Sequence, residues 1–135
     1  MKTARIIVAA LLIAGGVATF HAAQAQQMMK GIERTDLIKN DISVSGHEAV
    51  QVRVDIAPGV LAIKHSHPGE EIAYVLEGSL EYQLEGRAPV TLQAGQALFI
   101  PAGVAHSAKN VGSETASELA TYIVKKGAPL LVPVK

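Results

Sequence analysis

The sequence predicts an all-β domain whose antiparallel strands close into a barrel or a sandwich. Three observations carry this reading. Apolar and polar residues alternate with a period of two, first in Val50, Val52, Val54 and Ile56 against Gln51, Arg53 and Asp55. Turn residues then recur at nearly even spacing to the end of the chain. No amphipathic helix of usable length follows residue 45.

The elements follow in order. Met1 to Arg5 is a short basic start, Ile6 to Phe20 an apolar run, and Ala23-Gln24-Ala25 an A-x-A cleavage site. Residues 1–25 are therefore expected to be an export signal cut after Ala25. The apolar run is shorter than the roughly 20 residues a helix needs to cross a bilayer, so no stable membrane insertion is expected after cleavage. The product would be periplasmic or secreted. Residues 26–48 read as an N-terminal arm with a short edge strand, in which Met28, Met29, Leu37 and Ile38 find some packing and His47 sits in a solvated loop.

Residues 49–124 carry the barrel. Strands are predicted from Ala49 to Ile56, Val60 to Lys64, Glu71 to Leu76, Leu80 to Leu84, Val90 to Leu92, Ala97 to Ile100, His106 to Lys109 and Glu118 to Val124. Between them lie Pro68-Gly69, Gly78-Ser79, Glu85-Gly86, Ala94-Gly95, Pro101-Ala102-Gly103 and Gly112-Ser113, all turn chemistry. Residues 125–135 hold two prolines and are expected as a tail laid along a neighbour, an arm in an oligomer, and not as a central strand.

Charge and composition narrow the partners. Removing Lys2 and Arg5 from 12 basic residues, against 12 acidic ones, leaves the 110-residue product at net charge −2 with histidine neutral. A weakly acidic body without a basic stripe offers no footprint for nucleic acid. With no cysteine in the chain, disulfides, thiolate ligands and cysteine nucleophiles are all excluded, and a metal site would have to use histidine and carboxylate.

Such a constellation is present. Positions i and i+2 of a strand face the same way, so His65 and His67 aim two imidazoles at one spot. Pro68-Gly69 turns the chain, and Glu71 at the start of the next strand can return beside them while Glu70 faces away. His106 follows the Pro101-Gly103 turn on a strand that could pair beside the first. Three imidazoles and a carboxylate suit one divalent transition metal, and Fe, Mn, Co, Ni, Cu and Zn all accept such ligands.

These residues resemble the cupin superfamily of small β-barrels, in its small single-domain (monocupin, type-2) form. Its first motif, G-x5-H-x-H-x3-E-x6-G, is matched by Gly59, His65, His67, Glu71 and Gly78, and its second, G-x5-P-x-G-x2-H-x3-N, by Gly95, Pro101, Gly103, His106 and Asn110, with 16 residues between the motifs. The resemblance implies a double-stranded β-helix, or jelly roll, with His65, His67, Glu71 and His106 binding one metal in its mouth. The glycines and Pro101 would shape turns, and Asn110 would serve as a turn or hydrogen-bonding residue. No separate catalytic residue is assigned, with Glu71 the candidate proton acceptor.

Sequences of this kind resemble quercetin dioxygenases, which makes a dioxygenase acting on a small organic molecule the leading expectation. Val, Leu, Ala and Ile dominate the interior candidates, as an apolar substrate wall requires. A non-redox isomerase or lyase, a non-catalytic binding module, and a metal that only pins the barrel remain the alternatives. Ile72, Tyr74 and Leu76 share the face opposite Glu71, and an outward apolar row of this sort predicts a homodimer. Tyr82, Phe99 and Tyr122 are equally placed as pocket wall or plain core.

Overall fold

The computed structural model describes residues 30–134. The export signal, its cleavage point and the Met28–Met29 pair lie outside the described residues. Among the described residues ten strands form two five-stranded sheets: β1 (Ile32–Asp41), β2 (His47–Ile56), β9 (Ala116–Lys125), β4 (Glu70–Glu77) and β7 (Ala97–Ile100) make one, in that order. The other has β10 (Val132–Pro133), β3 (Leu61–Ser66), β8 (His106–Asn110), β5 (Ser79–Leu84) and β6 (Val90–Gln93). All pairings are antiparallel. The fold is the all-β jelly roll expected from the motifs.

Alternation places the core. Val52, Val54 and Ile56 of β2 and Ala73 and Val75 of β4 turn inward against Leu80 and Leu84 of β5, all buried. Their outward neighbours on β4, Ile72 and Tyr74, are exposed, while Leu76 is only half-buried. Phe99 pairs beside Ile72 on the same outer face and is also exposed. Tyr82 and Tyr122, in contrast, lie inside the barrel.

Three segments differ from the reading of the sequence. The arm holds a full ten-residue edge strand, β1, paired with β2 along its length through a bulge between Asp36 and Ile38. Opposite the inward residues of β2 it places Ile32, which packs against the core, but then the polar Arg34 and Asp36, and the rest of the strand is largely exposed, so the alternation that marks a half-buried strand is missing from its composition. His47 is the first residue of β2 and not a loop residue; its Nδ1 bonds the Ser45 carbonyl at 2.9 Å. The tail lies on this same chain, where β10 pairs with β3 at Ser66 and His65. Pro133 there takes an edge position, where its missing N–H costs nothing.

Close approach explains two of the glycines. Gly78 turns β4 into β5 at φ 76°, and a Cβ there would meet the Ala116 backbone at 2.9 Å. Gly69 lies so near β9 that a Cβ would meet the Ile123 carbonyl oxygen at 1.9 Å. Asn110 is fully buried and ties three segments together: its Nδ2 donates to the Ile56 and Glu114 carbonyls at 2.8 and 2.7 Å, and its Oδ1 accepts from the Gly112 N–H at 2.8 Å. That is the hydrogen-bonding role expected of it.

Candidate metal centre

Both sheets contribute to the site. His65, next to last in β3, lies directly opposite His106, the first residue of β8. His67 stands just past β3, in the link that carries the chain across to the other sheet, and Glu71 begins the inward face of β4 opposite Tyr122 of β9. The two-residue spacing still converges the rings although only His65 is in the strand. Ring centroids lie 4.9 Å apart for His65 and His67, 4.4 Å for His65 and His106, and 5.2 Å for His67 and His106. One nitrogen from each ring falls within 4.8 Å of the other two, a three-histidine cluster compatible with a metal ion.

Each imidazole is oriented by a backbone carbonyl. Nδ1 of His65 bonds the Ile63 oxygen at 2.7 Å, that of His106 the Val104 oxygen at 3.0 Å, and that of His67 the Leu130 oxygen at 2.5 Å. A carbonyl can only accept, so all three Nδ1 atoms carry hydrogen. In the neutral rings the Nε2 lone pairs are then left facing inward, the tautomer a metal requires.

The carboxylate completes an arrangement of acceptors. Glu71 Oε2 lies 3.1 Å from His67 Nε2 and 3.2 Å from His106 Nε2. His67 Nε2 and Glu71 Oε2 are buried without a hydrogen-bond partner among the described residues. Leaving such groups unsatisfied is costly, and acceptors at this spacing need a proton or a cation between them. Without a cation, burial pushes the Glu71 carboxyl up, but His106 and His67 outweigh it and hold the group below its ordinary value. Burial likewise pushes His106 down, yet Glu71 raises it above its ordinary value. Burial holds His65 at about 4. Three imidazole nitrogens and one carboxylate oxygen form a donor set that fits a divalent transition metal, which would take the place of any proton on them.

The interior is less apolar than the sequence suggested. Tyr122 packs against His67 with ring centroids 4.6 Å apart. Deeper in, Glu118 of β9 is buried, and the Tyr82 hydroxyl donates to its Oε2. Burial and then the Glu71 charge push the Glu118 carboxyl up to about 7, against the hydrogen bond from Tyr82 and the charges of His106 and Arg34. Glu118, Val54 and Arg34 pair in one row across β9, β2 and β1. Glu118 escaped notice because a glutamate in an alternating strand reads as a solvent-facing residue; the signal available was its even spacing from Ala120, Tyr122 and Val124, which are all buried. Glu70 is exposed, as expected, and His47 stands outside the cluster.

Comparison with known proteins agrees with this geometry. A germin-like protein (subfamily 2 member 2) of Arabidopsis thaliana is 38% identical over 88 residues, covering 62% of this chain and 38% of its own length. The dimethylsulfoniopropionate lyase DddQ of Ruegeria pomeroyi is 40% identical over 45 residues, 33% of this chain and 22% of the lyase. Among solved structures, an oxalate oxidase superposes with a TM-score of 0.63 at 28% identity, covering 77% of this chain and 55% of the other. The chain spans less than two-fifths of the length of the curated relatives it matches. Residues 52–127 match the cupin domain family, which includes every one of the site residues. With that match, the two sheets and the histidine cluster, the chain belongs to the cupin domain family.

Proposed function

We propose that this cupin binds one divalent transition metal through His65, His67, His106 and Glu71 and acts as an oxidoreductase on a small organic substrate, using dioxygen. The observation that carries the metal reading is the meeting of buried acceptors, His67 Nε2 and Glu71 Oε2 above all, with no hydrogen-bond partner among the described residues. A bound redox-active ion would supply open coordination positions for an oxygen donor of the substrate and for dioxygen. The chain's own residues do the rest: three carbonyls fix the imidazole tautomers, Glu71 offers its carboxylate for ligation or to accept a proton, and the Tyr122 ring shields His67 from water. The likeness to an oxalate oxidase supports oxidative chemistry. Quercetin-type dioxygenation is the finer form of this proposal.

A second reading has its own support. Tyr82 and Glu118 form a buried acid pair inside the barrel, and one relative is named as a lyase, a reaction that moves protons without dioxygen. Oxygen uptake separates the two. Metal-loaded protein should consume dioxygen with one member of a panel of flavonols, catechols, diketones and small carboxylic acids; elimination product without oxygen uptake would replace the oxidoreductase with a lyase.

Two expectations outside the site join the proposal. The basic start, apolar run and A-x-A site of residues 1–25 support export to the periplasm or beyond. The adjoining exposed side chains Ile72, Tyr74 and Phe99 support a homodimer in which a second copy covers that face. The partner of the interior is a small molecule; no nucleic acid is proposed.

A further inference from the structure

The three histidines are not oriented by equivalent means. His65 and His106 each bond a carbonyl two residues earlier, Ile63 within β3 and Val104 just before β8, so that folding of the barrel sets them. His67 bonds the carbonyl of Leu130, 63 residues away in sequence. That carbonyl belongs to the chain beyond β9, which turns at Gly127, leaves one sheet and lies down along the edge strand of the other. There Val132 and Pro133 pair with Ser66 and His65, and the Val134 N–H donates to the Lys64 carbonyl at 3.1 Å.

The hold on this segment is slight. Pro129 and Pro133 have no N–H to donate. β10 is only two residues long, Leu131 and Val132 are exposed, and Leu130 alone of this run packs against the core. A segment with few bonds and little buried apolar area opens locally without unfolding the domain. When it opens, His67 loses the acceptor that fixes its tautomer and its ring is free to turn.

From these contacts we infer that residues 128–134 form a strap that positions His67, and that strap docking and metal binding are coupled. The inference rests on the proposed metal centre. Loss of a hydrogen bond to the non-ligating nitrogen of a ligand histidine typically weakens metal binding by about 10–100-fold. Coupling is reciprocal, so the metal must tighten strap docking by the same factor. The strap is thus the part of the barrel through which metal occupancy is communicated to the surface.

The test uses the full chain and zinc, a diamagnetic probe. Calorimetry first measures zinc binding, and amide hydrogen exchange then follows the Val134 N–H with and without zinc. We expect its protection to rise by about 10–100-fold on loading. The Arg87 N–H, bonded to the Leu84 carbonyl in the β5–β6 turn, should not change. A chain ending at Gly127 should bind zinc about 10–100-fold more weakly. Nitrogen-15 spectra of that chain should show His67 as a tautomer mixture while His65 and His106 keep hydrogen on Nδ1. Zinc binding with unchanged Val134 exchange would overturn the strap and leave the metal centre standing. No zinc binding by the full chain would overturn the metal centre and the strap with it. Should the shortened chain fail to fold, the exchange measurement on the full chain decides alone.

Discussion

Replacing Asn110 tests how the barrel is pinned. Its side chain makes three hydrogen bonds, to the end of β2 at Ile56, to Glu114 in the β8–β9 turn and to Gly112, and it is wholly buried. Alanine removes all three. The Ile56 carbonyl, in the fully buried bond, loses a partner that water cannot replace, at about 1–3 kcal/mol, and the two part-buried bonds cost about 1 kcal/mol each. The expected loss is about 3–5 kcal/mol, a large part of the roughly 5–15 kcal/mol that holds a domain of this kind. Asn110→Asp should be at least as harmful, because a carboxylate oxygen would replace the Nδ2 that donates to two carbonyls. Urea unfolding followed by circular dichroism, which suits a chain without tryptophan, measures both. Chelator-treated protein is used so that bound metal does not mask the change. An alanine variant within 1 kcal/mol of the parent, or an aspartate variant as stable as the parent, would refute the reasoning.

Three further outcomes are expected. Gly69→Ala should cost roughly 2–3 kcal/mol or more by urea unfolding, since its Cβ would meet backbone and not a movable side chain; Gly86→Ala, at positive φ but in open space, should cost only about 1 kcal/mol. Burial, followed by Glu71, raises the folded Glu118 carboxyl from 4.5 to about 7, so between those values the native state keeps a proton that the unfolded chain has released. Stability of metal-free protein should therefore fall as pH rises through that window, by up to about 3 kcal/mol, and Glu118→Gln should flatten the fall because the Tyr82 bond survives; an unchanged pH profile in the variant would remove Glu118 as its source. Tyr74→Glu should shift the sedimentation profile from dimer toward monomer, and an identical profile would withdraw the dimer face.

Most of the site could be read in advance because its logic is local. His65 and His67 lie two residues apart, Glu71 follows a forced turn, and the second motif delivers His106 opposite His65, so spacing and pleat decide where the side chains point. Strands with one buried face were visible for the same reason. What escaped had its cause at a distance. β1 has no alternation of its own and owes its place to pairing with β2. The tail's role depends on an edge of β3 that exists only after the barrel closes. Glu118 is buried by the register of β9 against β2 and β4, and its partner Tyr82 comes from the opposite sheet, a juxtaposition that no spacing rule encodes.

The central claim is that the converging nitrogens and the Glu71 carboxylate hold a metal, and elemental analysis of the purified protein tests it most directly. Parent protein is expected to carry one equivalent of a divalent transition metal per chain, and the His65→Ala, His67→Ala double variant to carry none while keeping its β-sheet circular dichroism. Equal metal content in the two, or a parent that neither carries nor takes up any such ion, would contradict the account.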